Sequence, residues 1–303
     1  MKIVVFGNEA RVGALRDDGV VDLHATDPQI PATLPEFIAG GPAVLEAAGR
    51  AIERGVVRPL HEVALRAPWP RKRIACAGGN YAAHSYGMAI NRGAQGITLE
   101  TQAKRIRDAG LWGFWKHLDE IAGPGDAIPF PKHAEYLDYE GEVAVVVAKR
   151  GKEIKADRAA DYIWGVTLGV DWSIRDRDGG PQRPLSFNLQ KNFDFSASLG
   201  PCIVVGELDP QNIDVETRVA GELRQSYNTR EMVFSFGELL EFLSRDLTLV
   251  PGDIVFGGTG AGTAQDSTKP NSDGSLPLDR FLRRGQVVEV SSPLIGILAN
   301  TIS

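Results

Sequence analysis

Between Tyr136 and Val147 the chain reads YLDYEGEVAVVV, which places carboxylates at three alternate positions: Asp138, Glu140 and Glu142. In a strand, alternate side chains share a face. The three acids therefore point one way, and Tyr139 and Val143 the other. Acids are poor strand formers, so three on one face call for a reason. A solvated edge strand would tolerate them. The following VAVVV run argues instead for a strand buried on both faces. Two like charges about 4 Å apart, at an effective dielectric near 20, repel by roughly 4 kcal/mol. A bound cation removes that repulsion. Ligation by oxygen alone suits Mg²⁺ or Mn²⁺, with Ca²⁺ as a further choice, rather than zinc. Gly141, between two of the acids, permits close approach of a ligand or a backbone.

A second acidic group follows the predicted strand VTLGV: Asp171, Asp176 and Asp178, interleaved with Arg175 and Arg177. Asp171 stands at the C-terminal end of that strand. Two readings are open for it, a metal ligand and an N-cap for the turn Ser173–Arg177. The segment GGTGAG resembles a phosphate loop, but it lacks the Lys-Ser/Thr ending and no helix is expected after it. VFGNEARVG near the start does not meet the dinucleotide fingerprint. Neither segment therefore points to a nucleotide. His84 after a turn and Lys191 would, taken alone, be a structural histidine and a surface lysine.

The elements that must position these groups are mostly strands. Residues 1–68 are expected to form a small N-terminal domain, with strands at Lys2–Phe6, Val12–Leu15 and Val20–Leu23 and a helical stretch over Leu34–Gly55. The Pro- and charge-rich segment RAPWPRKR marks the boundary. Beyond it, residues 69–303 form the larger unit, with a lid-like excursion at 85–115. The lid carries a helix over Leu99–Ala109, supported by a Glu100–Lys104 pair and a Gly110 cap. Trp112, Phe114 and Trp115 either pack under the lid or line an apolar pocket. Strands are expected at Gly141–Lys149, Val166–Val170, Pro201–Val205, Ile213–Val219 and Glu222–Gln225, the last two joined at Ala220-Gly221. A helix follows at Phe236–Leu243. Strands at Val250–Phe256 and Gln286–Ser291 would close the barrel or sheet.

The 303 residues carry 33 Lys and Arg against 39 Asp and Glu, a net charge of −6. An acidic chain lacks the basic face that nucleic acid requires. No apolar run approaches membrane-spanning length, and the start has no signal-peptide pattern. A cytoplasmic location is expected. Cys76 and Cys202 lie far apart in apolar company, which predicts free buried thiols.

Taken together, these residues resemble the fumarylacetoacetate hydrolase superfamily. Three anchors carry the resemblance: LDYEGEVAVVV at 137–147, GVDWSIRD at 169–176 and LVPGDIVFGGTGAG at 249–262. Weaker echoes are GGNYAAH at 78–84, GPGDAIPFP at 123–131, KNFD at 191–194 and RRGQVVEVSSPLIGILAN at 283–300. The resemblance covers residues 70–303 and implies an α+β fold, a mixed, strongly curved β-roll with peripheral helices, and a homodimer. It implies that Glu140, Glu142 and Asp171 ligate Mg²⁺ or Mn²⁺. His84 would be the lid histidine and general base. Lys191 would be the active-site lysine, and Arg175 would act on substrate. Thr259, Lys116 and Tyr81 would contact substrate.

Four positions depart from the family pattern. The glutamate expected three residues after the lid histidine is Gly87, and Glu100 or Glu120 in the longer lid is a candidate substitute. The usual Asn before the metal aspartate is Val170, the usual Gln after the arginine is Asp178, and the Thr-Gly-Thr-Pro loop reads Gly257-Gly258-Thr259-Gly260. The leading expectation is a metal-dependent hydrolase that cleaves a C–C bond in a β-diketone, acylpyruvate or related oxo-acid. The alternative is a 2-oxo acid isomerase or tautomerase, decarboxylase or hydratase. The third reading is a small-molecule binder without catalysis.

Overall fold

The computed structural model describes residues 1–176, 187–273 and 275–303. Asp178 and Arg177 lie outside the described residues. The fold is mixed α+β, with an eleven-stranded sheet, a five-stranded sheet and a two-stranded ribbon. The centre of the large sheet runs Ala197–Val204, Ile163–Asp171, Gly141–Val147, Ile254–Thr259, Ile74–Ala77. Neighbours along this path are antiparallel except Ile254–Thr259 and Ile74–Ala77, which are parallel. Every residue of Gly141–Val147 is buried, as its β-branched run requires.

The alternation of that strand joins the layers. Val143, Val145 and Val147 share a core with Val215, Val219, Val288, Val290 and Leu298 of the five-stranded sheet. Ala144, on the opposite face, packs with Leu199 and Phe256. The five-stranded sheet is ordered Glu222–Asn228, Asp214–Val219, Val287–Ser292, Gly296–Ile302, Ala127–Ile128. Neither sheet closes on itself, which corrects the expected closure by the strands near 250 and 286. Those two strands lie in different sheets, because Val287–Ser292 is taken up between Asp214–Val219 and the C-terminal strand Gly296–Ile302.

The N-terminal strand Lys2–Phe6 pairs antiparallel with Ala197–Val204, with Ile3 opposite Ile203. The expected helix over 34–55 is two helices, Leu34–Ala39 and Gly41–Arg54. Gly41 adopts φ +61, a left-handed conformation, and Pro42 has no N–H to continue the ladder, so the chain breaks there. The lid segment consists of helices Ala82–Asn91 and Leu99–Ala109 and strand Gly113–Lys116. Thr98 and Thr101 form a capping box, and Gly110 ends the second helix at φ +84. Within it Lys104 pairs with Asp108 at 2.5 Å. Cys76 and Cys202 are free and buried. Among the described residues no helix is long and apolar enough to cross a membrane.

Candidate active site

The acid segment is not one continuous strand. A two-residue strand, Leu137–Asp138, pairs with Ser173–Ile174, and the main strand begins at Gly141. This break separates the three acids. Asp138 accepts hydrogen bonds from the backbone N–H groups of Ala264 (2.7 Å) and Gln265 (3.1 Å) and pairs with Arg175 Nε at 3.0 Å. It therefore anchors a neighbouring turn. Glu140 and Glu142 meet Asp171 instead, with one oxygen from each of the three lying within 4.8 Å of the others. All three are buried. Asp171 ends strand Ile163–Asp171, and its carboxylate faces lysines rather than capping the turn after it.

Three cations surround these acids. Lys191 Nζ donates to Glu140 at 2.6 Å, Asp171 at 2.9 Å and Ser173 Oγ at 2.5 Å. Arg175 bridges Asp138 and Glu140. Lys116 Nζ lies 2.8 Å from Asp171 Oδ1 and donates to the carbonyls of Lys191 and Ser196. Among the described residues four carboxylates thus face three cations, and Glu142 is the acid without one. Its only hydrogen bond among the described residues comes from Gly258 N–H, at 2.8 Å.

The charge states follow from this layout. Burial, then the neighbouring Asp171 and Glu140 charges, pushes the Glu142 carboxyl well above its ordinary range. Burial acts the same way on Glu140, but Lys191 and then Arg175 outweigh it and hold that carboxyl below the usual range. Burial alone would lower Lys191, yet Asp171 and Glu140 raise it and keep the ammonium charged.

A divalent ion fits this donor set. The three oxygens converge, and among the described residues Glu142 is uncompensated and Asp171 Oδ1 is a buried oxygen without a hydrogen bond despite the nearby ammonium. Carboxylate oxygens alone favour a hard cation. The approach at Gly141 is now identified: a Cβ there would stand 2.2 Å from Thr217 Oγ1 of the adjoining sheet, so the glycine serves sheet packing.

A cavity of about 360 Å³ opens over the acids. Glu140, Glu142, Arg175, Lys191, Thr259 and His84 line it, with Met88, Trp112, Phe114 and Ile174 as the apolar wall. Of the expected aromatics, Trp112 and Phe114 reach the cavity, while Trp115 carries the Arg73 guanidinium 5.2 Å over its ring. Lys116 and Tyr81 do not line the cavity. Lys116 is fully buried beneath it, and Tyr81 stacks edge-on with Tyr227 at 5.0 Å. Thr259 lines it, but its hydroxyl is committed: it donates to Gly141 O at 2.9 Å and accepts from Gln225 Nε2 at 2.8 Å.

His84 enters from lid helix Ala82–Asn91, and its Nδ1 lies 2.6 Å from Asp266 Oδ2. Asp266 was not anticipated. It sits 182 positions away, on the one-turn helix Ala264–Ser267 that follows the glycine-rich loop. Neither Glu100 nor Glu120 takes this place; both are exposed. Gln225 and the Gly258 amide were missed as well. Gln225 acts between the two sheets and the Gly258 amide between neighbouring strands of one sheet, contacts that no local spacing reveals. Thr263, whose side chain accepts from Asp266 N–H, is the one local signal of that short helix.

The family model for the fumarylacetoacetate (FAA) hydrolase C-terminal region matches residues 73–303. Oxaloacetate tautomerase FAHD2B of Bos taurus, a mitochondrial protein, is 35% identical over 288 residues, covering 94% of this chain and 84% of that protein. Oxaloacetate tautomerase YisK of Bacillus subtilis (strain 168) is 34% identical over 319 residues, covering 97% of each. Among solved structures, the fumarylacetoacetate hydrolase of psychrophilic Exiguobacterium antarcticum superposes with a TM-score of 0.76 at 28% identity, over 100% of this chain and 99% of that one. A match over residues 73–303, full-length relatives and the shared fold lead to one conclusion: the chain belongs to the fumarylacetoacetate hydrolase superfamily.

Proposed function

We propose that this enzyme is a divalent-metal-dependent tautomerase that interconverts the enol and keto forms of a small 2-oxo acid such as oxaloacetate. The observation that carries the reading is the convergence of Glu140, Glu142, Lys191 and His84 on one cavity, with Asp171 meeting the two glutamates beside it. The relatives named oxaloacetate tautomerases support the choice of reaction. They support tautomerisation better than the C–C hydrolysis expected first from the sequence.

Glu140, Glu142 and Asp171 would hold the ion, which when bound supplies Lewis-acid polarisation of the substrate carbonyl. The chain's own groups handle the proton. Tautomerisation moves one proton between the carbon beside the carbonyl and the carbonyl oxygen, with no bond broken between heavy atoms. The bond between His84 Nδ1 and a carboxylate leaves Nε2 as the acceptor nitrogen of the neutral ring. In the keto-to-enol direction Nε2 takes the carbon-bound proton as the enolate forms, and the resulting imidazolium delivers a proton to the enolate oxygen; the enol-to-keto direction reverses both transfers, so the ring ends neutral each way. Lys191, kept charged by its acids, has its three N–H donors on Glu140, Asp171 and Ser173, so it acts as a fixed positive charge beside the oxygen on which negative charge develops. Arg175 fixes Glu140 and Asp138, so it positions the floor of the site. Met88, Trp112 and Phe114 exclude water from the intermediate.

The test is the decay of the oxaloacetate enol, followed by its ultraviolet absorbance with Mg²⁺ or Mn²⁺ present. Glu142→Ala and Lys191→Met should each lower kcat by about 10²-fold or more. Activity in Glu142→Ala equal to wild type would sink the metal-dependent reading. Cleavage of an acylpyruvate faster than enol decay would restore the hydrolase. Binding of 2-oxo acids without either reaction would leave the non-catalytic binder.

A further inference from the structure

We propose that Asp266 is the positioning residue for His84 and that the pair is assembled only when the lid helix docks on the one-turn helix after the glycine-rich loop. The inference rests on the reading that His84 carries the proton, and it adds where the competence of that base comes from.

Three contacts join the two helices at one residue. The Asp266 carboxylate holds His84 Nδ1 at 2.6 Å, with the two side chains 7% and 3% exposed. Asn91 Nδ2, at the far end of the lid helix, donates to the Asp266 carbonyl at 2.6 Å. Between them, Gly87 lets the helices close up: a Cβ there would stand 2.8 Å from Asp266 O and 3.1 Å from Asp266 Cβ. The glycine is therefore the steric condition for docking, not simply a missing acid. The carboxylate is itself fixed from the core side. It accepts from Gly262 N–H at 3.0 and 3.1 Å and from Ser267 Oγ at 2.9 Å.

This split has a mechanical consequence. With histidine and acid on the same helix, the pair would travel as a unit whether the lid were open or shut. Here the histidine rides the lid and the acid stays with the core. An undocked lid leaves the imidazole without the group that fixes its tautomer and orientation, so proton transfer waits for the cavity to be covered. Reaction and closure are thereby coupled through one hydrogen bond.

The decisive variant is Asp266→Asn, which keeps an oxygen for Gly262 and removes the charge facing His84. In the full-length wild type, ¹⁵N-edited spectra should show a downfield His84 Nδ1–H resonance, and Asp266→Asn should lose it. The variant's kcat for enol decay should fall by about 10²-fold, with KM within about twofold and the unfolding midpoint close to wild type. A retained resonance with kcat within twofold of wild type would overturn the proposal. Should Asp266→Asn fail to fold, Gly87→Ala decides. It should raise amide exchange across residues 82–91 and lower kcat in parallel, whereas unchanged exchange and rate would overturn the proposal. If wild type turns over no 2-oxo acid, the tautomerase reading fails by itself. The His84 resonance and the exchange across 82–91 still settle whether Asp266 and docking hold the histidine.

Discussion

Glu142 illustrates how one unmatched charge sets the behaviour of a site. Glu140 and Asp171 each face an ammonium, while among the described residues Glu142 has only a peptide N–H. Its carboxyl is consequently pushed well up by burial and by its two acidic neighbours. In the ion-free protein this shift costs stability over a defined window. Below the ordinary carboxylate range, folded and unfolded chains both hold the proton and the cost is nil. As pH rises through that range, the unfolded chain releases its proton and the folded one does not, so stability falls until pH passes the raised folded value. Glu140 works in the opposite sense: its contribution is present above the ordinary range and is lost as pH falls through its lowered value. An incoming divalent ion must displace the Glu142 proton. Calorimetric titration with Mn²⁺ should therefore show affinity rising with pH above the ordinary carboxylate range, with proton release that Glu142→Gln abolishes along with most of the affinity. An affinity independent of pH above that range would show that Glu142 is already ionised.

The elements around the site show what the sequence discloses and what it hides. Strand Glu222–Asn228 contributes no charged group to the cavity, yet its Gln225 satisfies three separate buried groups. Its Oε1 accepts from Gly141 N–H at 3.0 Å, and its Nε2 donates to Thr259 Oγ1 at 2.8 Å and to Gly260 O at 2.9 Å. It thereby pins the start of the acid strand to the glycine-rich loop. Gln225→Leu would leave those groups unpaired, at roughly 1–3 kcal/mol for each that finds no water. The midpoint of chemical denaturation should drop accordingly, and Mn²⁺ affinity should weaken because Glu142 and the Gly258 amide lose their register. A variant with unchanged midpoint would mean that water replaces the amide fully. Glu142 and helix Phe236–Leu243 were legible in local pattern, a period of two and a helical run, whereas Asp171 stood open between a ligand and an N-cap until the resemblance was added. Gln225 and Asp266 were not readable, since their chemistry appears only when segments 84 and 182 positions distant meet Gly141 and His84. Asp138 was misplaced for a related reason. The alternation that put it beside Glu140 stops at the break before Gly141, where pairing passes from Ser173–Ile174 to Ile163–Asp171.

At the scale of the whole molecule, the site depends on a sheet that begins in the first residues of the chain. Lys2–Phe6 lies directly against Ala197–Val204, which is the neighbour of the strand ending in Asp171. The core beneath this junction mixes Ile3, Val5, Leu23 and Phe37 with Val146, Trp164, Ile203 and Val205 of the larger unit. Phe37 and Trp164 meet edge to face at 6.1 Å. Removing residues 1–68 would uncover the latter four side chains, each worth roughly 1.5–3 kcal/mol when fully buried. Their combined loss is on the scale of the 5–15 kcal/mol that typically separates a folded domain from its unfolded state. The same cut would leave Ala197–Val204 as an unprotected edge, a template for pairing with other chains. A fragment spanning 69–303 should therefore be insoluble, or lack cooperative thermal unfolding by circular dichroism, and should not bind Mn²⁺. Supplying residues 1–68 as a separate chain should recover part of both properties, because the missing strand and helices restore the covered face. A soluble 69–303 fragment with a sharp transition and wild-type ion affinity would show that the acid strand is held by its own neighbours alone, and that the N-terminal segment serves something other than the site.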